Sequence, residues 1–150
     1  MALRDFKVLI GNCEPSASAL LQLFIKSACE GRAIPQFTVA DRLEELLTLA
    51  ESEAFDFCIL MLENIQVGKG WSQDRIERVI ESIRLLKTNT LMPVLAISPY
   101  RDGPGFEQRV LEAGADWFLD YLSPFEELER AVVTHLDAMC GRQPNAQRAQ

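Results

Sequence analysis

Few side chains in this sequence suit nucleophilic or metal chemistry, and those few lie far apart. The four cysteines are Cys13, Cys29, Cys58 and Cys140, and His135 is the only histidine. Zinc sites need closely spaced ligands, and Ser–His or Cys–His catalysis needs a histidine beside the nucleophile. Neither a C-x-x-C pair nor a glycine-rich phosphate loop after the first apolar run is present. The sequence therefore predicts neither an enzyme nor a metal site, and no cofactor is expected.

The composition is that of one acidic globular domain. Apolar residues make up 48% of the 150 positions, and 22 acidic against 15 basic residues give a net charge of −7. Without a local basic cluster, such a chain should repel nucleic acid and anionic lipid. No apolar run is long enough for a membrane span, and the first residues are too short and polar for a signal peptide. Unpaired cysteines favour a reducing compartment, so we expect a cytoplasmic protein with no nucleic-acid or membrane partner.

Short apolar runs alternate with longer segments of helical periodicity. Runs rich in Val, Ile, Leu and Phe predict strands buried on both faces, at residues 7–11, 36–40, 55–62, 93–97 and 117–121. Five β-α repeats predict a doubly wound, flavodoxin-like α/β fold, with five parallel strands in the order 2-1-3-4-5 and helices on both faces. We expect one domain over residues 1–140 and a flexible polar tail over 141–150.

Cap signals predict several helix boundaries. Asp41 with Glu44 has capping-box spacing, and Gly31 and Gly114 follow helical segments as C-caps do. Ser123 precedes a proline and predicts the start of the last helix.

Ligands of a doubly wound fold bind at the carboxyl ends of its strands. Asn12 and Cys13 follow the first predicted strand, Met61 ends the third, Ser98 follows the fourth, and Ser123 follows the fifth. The strand-end rule therefore selects residues 11–14, 61–65, 98–99 and 121–123 as the place to look for a site.

Five segments, in this order and spacing, resemble the receiver domains of two-component response regulators. The similarity spans residues 6–138, and the segments are KVLIGNCEP at 7–15, FDFCILM at 55–61, MPVLAIS at 92–98, LEAGADWFL at 111–119 and SPFEEL at 123–128. The resemblance implies a signal-transduction role, as in a phosphorelay, in which an aspartate accepts a phosphoryl group with Mg²⁺ bound beside it.

The phosphorylation pocket that this resemblance implies is degenerate. Asn12 and Cys13 stand where the family has an acidic pair for Mg²⁺, and Met61 stands at the phospho-accepting position. Ser123 precedes the proline where the family has lysine, so only the hydroxyl of Ser98 matches. We therefore expect a pseudo-receiver that acts by protein contact rather than by phosphorylation.

Two alternatives stay open. If the third strand is two residues longer, Glu63 reaches the acceptor position, as an atypical acceptor or a permanent mimic of the phosphorylated state; Asp56 is a second atypical acceptor to consider. The other alternative is a flavodoxin-like small-molecule sensor, whose pocket Met61 and Cys13 make more apolar.

The resemblance also suggests a contact surface. In receivers, the fourth and fifth helices and the fifth strand commonly mediate homodimers or effector contacts. Here that surface would draw on Phe106, Arg109, Val110, Asp120, Glu127 and Arg130. Phe118 matches the family's switch aromatic, although a plain core role is the simpler interpretation, and Trp117 should point to the opposite face.

Overall fold

The computed structural model describes residues 3–11, 14–62, 73–98, 105–120 and 125–142. Strands and helices alternate along the chain. The strands are β1 (Arg4–Gly11), β2 (Ala33–Ala40), β3 (Phe57–Met61), β4 (Val94–Ser98) and β5 (Trp117–Asp120). The helices are α1 (Pro15–Cys29), α2 (Leu43–Ser52), α3 (Gln73–Asn89), α4 (Phe106–Glu112) and α5 (Phe125–Arg142).

The five strands form one parallel sheet in the order β2-β1-β3-β4-β5. Because β1 pairs with β2 on one side and β3 on the other, the chain reverses its winding direction at β1. The predicted flavodoxin-like fold and strand order are confirmed.

Side chains that alternate along the inner strands build a core on each face of the sheet. Phe6, Val8 and Ile10 of β1 face α1 and α5, whereas Leu9 faces the layer made by α2, α3 and α4. β3 and β4 are buried throughout, so their continuous apolar runs follow from helices covering both faces.

The prediction that every strand is buried on both faces is wrong for both edge strands. Trp117, Phe118 and Leu119 of β5 are only partly buried, and β2 is more open still. Only its two ends, Ala33 and Ala40, are buried, and Ile34 is largely exposed. β2 lies at one edge of the sheet and begins three residues earlier than predicted, with Pro35 in register with Phe6. Proline has no N–H to donate, so it is tolerated at an edge.

Helix boundaries depart from the predicted caps in one case. The capping box at Asp41 is wrong, because Arg42 is extended (φ −119°, ψ 148°) and takes the N-cap position of α2 without a side-chain hydrogen bond. Gly31, with φ 75°, and Gly114, with φ 123°, do follow helix ends in left-handed conformations. The predicted Ser123 cap lies outside the described residues. α5 continues to Arg142, and the boundary at residue 140 stays a prediction.

Two aspartates extend the backbone hydrogen-bond ladder at the amino edge of the sheet in the same way. Asp56 donates its N–H to Lys7 O (2.8 Å) and accepts from Lys7 N through Oδ2 (2.9 Å). Asp116 donates to Val94 O (2.8 Å) and accepts from Val94 N through Oδ2 (2.8 Å). Each carboxylate therefore replaces the strand partner that the neighbouring strand lacks at its start.

Lys87, in the last turn of α3, links Asp116 to the helix layer. Its Nζ donates to Asp116 Oδ2 (2.8 Å) and to Met92 O (3.0 Å). The aliphatic stem of Lys87 passes close over Gly114. The Gly114-Ala115-Asp116 segment thus fixes the approach of β5 to β4.

Candidate functional site

The carboxyl edge of the sheet brings together the ends of β1, β3 and β4. In register, Gly11 pairs with Leu60 and Met61 pairs with Ile97. Ser98 is the next residue of β4 and pairs with Asp120. Two candidate residues, Met61 and Ser98, therefore end neighbouring strands at the same edge.

Met61 occupies the last position of β3, and its side chain is only 4% exposed. It packs with Ile59 and Ile97 in the core facing α1 and α5. The strand stops there, because Leu62 lies in a turn and donates its N–H to Ile97 O (2.9 Å). At the end of the third strand, the described structure therefore presents a buried thioether.

Ser98 is buried and ends β4. Its side chain lies on the same face as those of Ala96 and Val94, two and four residues earlier, and α2, α3 and α4 cover that face. Met61 and Ser98 consequently share an edge of the sheet but direct their side chains to opposite faces.

The other predicted site residues, Asn12, Cys13, Glu63 and Ser123, lie outside the described residues. Their places in the pocket stay predictions that rest on the sequence.

The described donors at this edge do not fit a magnesium ion. Mg²⁺ prefers carboxylate, carbonyl and water oxygens in octahedral geometry, and a thioether is a poor ligand for it. Within residues 3–11, 14–62, 73–98, 105–120 and 125–142, no three His, Cys, Asp or Glu side chains group as metal ligands.

The thiols of Cys29 and Cys58, the two cysteines whose side chains are described, should be unreactive near neutral pH. Burial raises the pKa of Cys58 to about 12, against the weaker opposing charge of Lys87. Burial likewise raises the pKa of Cys29 to about 11, against the opposing charge of Arg32. Both stay protonated near neutral pH, and nucleophilic or metal-binding thiols act as thiolates.

Phe118 is partly buried and packs against the core on the face covered by α2, α3 and α4. Its ring meets Phe106 of α4 edge-on, with centroids 6.0 Å apart and planes at 82°. Trp117 points to the other face and lies 5.7 Å from Phe57, which confirms the predicted alternation. A switching role for Phe118 remains a prediction.

The contact surface predicted from the fourth and fifth helices needs correction. Phe106 and Val110 are buried, because residues four apart on α4 share the face that packs on the sheet. Arg109 is exposed and pairs with Glu77 of α3 at 2.6 Å. Arg130 lies on the side of α5 that faces α1, where it lines a groove together with residues of α1.

Of the remaining two members of that predicted surface, Glu127 is exposed. The side chain of Asp120 lies outside the described part.

A concave region lies at the amino edge of the sheet, opposite the edge that holds Met61 and Ser98. A groove of about 350 Å³ is lined by Phe55, Met92, Pro93 and His135, among others. Leu91 also borders it and is 99% exposed. The ring of His135 packs against Phe57, with centroids 5.6 Å apart, so this histidine belongs to the core boundary as predicted.

In sequence, no protein-family model and no curated protein matches the chain. In structure, it is similar to a two-component response regulator from Clostridium difficile, with a TM-score of 0.69 and 19% identity over 89% of this chain and 98% of that one. The fold is that of a receiver domain.

Two further receiver domains superpose on this fold. One is a Francisella response regulator receiver domain, with a TM-score of 0.67 and 20% identity over 89% of this chain and 98% of that one. The other, from a sensor histidine kinase of Pseudomonas aeruginosa, holds a magnesium ion in its active site cleft; its TM-score is 0.65, with 14% identity over 90% of this chain and 98% of that one. Among the described helices of our chain, none is long and apolar enough to cross a membrane.

Proposed function

We propose that this chain is a receiver-like domain of the two-component response regulator type that signals through protein contact, without aspartyl phosphorylation and without an enzymatic activity of its own. The observation that carries the proposal is Met61, buried at the end of β3. The four cysteines without C-x-x-C spacing suit a cytoplasmic setting for it.

Phosphoryl transfer to a receiver needs a carboxylate that attacks phosphorus and a cation that offsets the charge of the transferred group. The thioether of Met61 cannot form an acyl phosphate. The sequence also has Asn12 and Cys13 where an acidic pair would bind the cation. Both requirements of the reaction are therefore missing together.

Asp56 is a poor alternative acceptor because of its place in the fold. It precedes β3 at the amino edge, five residues before Met61, which is about 17 Å along an extended strand. Its carboxylate accepts from Lys7 N at 2.9 Å and pairs with Arg4 at 3.9 Å. These contacts account for Asp56 as a structural residue.

Acetyl phosphate and beryllofluoride, each with Mg²⁺, test the proposal on the purified protein. We expect no mass increase of a phosphoryl group and no change in tryptophan fluorescence, while a conventional receiver treated in parallel shows both. A labelled species would overturn the proposal. Loss of that label in Glu63→Gln, but not in Asp56→Asn, would identify Glu63 as the acceptor, and the reverse pattern would identify Asp56.

A further inference from the structure

The free edge of β2 is long and uncharged. Within the described part of the chain, β2 pairs with β1 on one side and with no strand on the other. Its sequence, AIPQFTVA, has no charged residue, and Ile34 and Val39 are 49% and 36% exposed. Edge strands are commonly protected from further pairing by charged side chains or by being short, and β2 has neither protection.

The hydrogen bonds of β1 fix which backbone groups of β2 point outward. Lys7 directs both its N–H and its C=O to Asp56, on the β3 side. Because successive residues of a strand point their backbone groups to opposite sides, Val8 directs both of its groups to β2. Val8 is in register with Phe37, and a parallel ladder bonds Val8 to the residues on either side of Phe37. The backbone groups of Phe37 itself therefore point away from β1.

By the same alternation, Ala33, Pro35 and Val39 also point their backbone groups outward. Proline has no N–H, so the outward donors are those of Ala33, Phe37 and Val39. Donors and acceptors in this spacing are matched by another extended strand and not by a helix, whose own backbone groups are already bonded. The edge of β2 is therefore built to accept a strand.

A second copy of this chain carries a strand of the required kind. Of the five described strands, only β2 and β5 lie at an edge of the sheet, and β5 has four residues against eight in β2. A β2–β2 pair closes as a two-fold dimer, whereas a β2–β5 pair would propagate as an open filament. We propose that β2 pairs antiparallel with β2 of a second copy, which joins the two sheets into one continuous sheet.

Two-fold symmetry and the outward donors select the register. In an antiparallel pair, outward residues exchange hydrogen bonds with outward residues, so the axis passes through one residue of β2. With Gln36 on the axis, Ala33 pairs with Val39 of the partner subunit, and Phe37 donates to the C=O of Pro35 of the partner subunit. Every outward donor of β2 then has an acceptor within the partner's strand. With Phe37 on the axis, the donor of Ala33 would lie beyond the end of that strand.

Charges beyond the strand ends favour the same register. Glu30 and Arg42 are exposed, and among the described residues neither makes an ion pair within its own chain. With Gln36 on the axis, the register brings Arg42 near Glu30 of the partner subunit. With Phe37 on the axis, Arg42 would instead face Arg32 of the partner subunit, and like charges directly opposite destabilise a strand pair. The edge is thus complementary in charge to a second copy in one register.

The size of this contact predicts a weak dimer. Stable interfaces bury about 800 Å² on each partner, and the edge of one eight-residue strand offers less. We therefore expect reversible, concentration-dependent association. The inference requires only the fold, so it does not depend on whether the protein accepts a phosphoryl group.

Sedimentation equilibrium over the micromolar to millimolar range tests the dimer. Gln36→Glu should raise the dissociation constant about tenfold at low salt and less at high salt, because two carboxylates would meet at the axis. Its fold should be preserved, because Gln36 lies beside Lys7 of β1. Leu23→Glu on α1 and Leu111→Glu on α4 replace exposed leucines elsewhere and should dimerise like wild type. Circular dichroism verifies that each variant is folded.

Amide hydrogen exchange followed by NMR tests the pairing residue by residue. The amides of Phe37 and Val39 should exchange rapidly at micromolar concentration and become protected at millimolar concentration, whereas those of Gln36 and Thr38, bonded to β1, should be protected at both. Val39→Pro removes an outward donor without removing a bond to β1. Because symmetry removes that hydrogen bond twice, the dissociation constant should rise about thirtyfold.

Three results would overturn the inference. A protein that stays monomeric up to millimolar concentration would leave the edge for a strand of a different protein. A folded Gln36→Glu variant that dimerises like wild type at low salt, or exchange at Phe37 and Val39 that does not change with concentration, would exclude the β2 pairing. Loss of the dimer in Leu23→Glu or Leu111→Glu, but not in Gln36→Glu, would place the interface on α1 or α4 instead.

Discussion

Gly114 is a position at which one added methyl group should disturb the fold strongly. Its φ of 123° is a conformation that residues with a side chain rarely adopt. A Cβ there would lie 2.7 Å from Lys87 Cγ and 3.0 Å from Lys87 Cβ. Gly114→Ala must therefore strain the backbone and displace Lys87, which would release its hydrogen bonds to Asp116 and Met92.

The expected cost separates into two parts. Backbone strain at such a position costs about 1–3 kcal/mol, and the loss of the Lys87 hydrogen bonds adds about 1 kcal/mol. Gly114→Ala should therefore lower the free energy of unfolding by about 3 kcal/mol, or Tm by about 10 °C for a domain of this size. This loss is large but smaller than a typical domain stability of about 5–15 kcal/mol, so the variant should still fold.

Gly31→Ala is the matched control. Gly31 also has a positive φ, 75°, but no atom lies within 4 Å of the added Cβ, so only strain of about 1–2 kcal/mol is expected. Urea denaturation followed by tryptophan fluorescence and circular dichroism measures both variants. In a Lys87→Ala background, Gly114→Ala should cost about 1 kcal/mol less than in wild type. Equal destabilisation of the two glycine variants would refute this account of the Gly114-Ala115-Asp116 segment.

Two further predictions concern the amino edge and the thiols. Asp56→Ala should lower the free energy of unfolding by about 1–3 kcal/mol, because Lys7 N loses its acceptor; Asp137→Ala, which removes only the exposed pair with Arg32, should change it by less than about 0.5 kcal/mol in the same urea titration. Burial raises the pKa of Cys58 from 9.0 to about 12. The stability that its buried, protonated thiol contributes should therefore be complete below pH 9 and be lost as pH rises toward 12. The free energy of unfolding of Cys58→Ala should fall less steeply over the same pH range. Native Cys29 and Cys58 should resist a thiol reagent at pH 8 and react after unfolding; rapid labelling of both in the native protein would contradict their burial.

Much of the fold could be predicted because strand and helix periods differ. The fully apolar run that ends at Met61 has the composition of a strand covered on both faces, and the structure buries it on both. The glycines at 31 and 114 mark helix ends because a left-handed residue is needed there. Order along the chain, together with right-handed connections, then leaves few topologies.

Other features could not be predicted because they depend on neighbours distant in the chain. The strand order predicted from the sequence placed β2 at an edge, but how much of its surface the helices cover depends on packing from elsewhere in the chain, so its burial was overestimated. Phe106 and Val110 were expected on a contact surface, although their four-residue spacing, continued by the buried Ala113, was a signal that α4 packs them on the sheet. Arg130 was assigned to the wrong side of α5 because only the packing of α1 against α5 fixes the rotation of that helix.

By itself, the sequence determined which elements form and which side chains are available near the strand ends, because period and side-chain chemistry are local properties. Met61 is a thioether wherever the strand is placed. The tertiary structure decided which surfaces remain open to water: it buries Phe106 and Val110 of α4 and leaves Leu20 and Leu23 of α1 exposed. Exposure depends on what packs against a residue from elsewhere in the chain, and no local pattern contains that information.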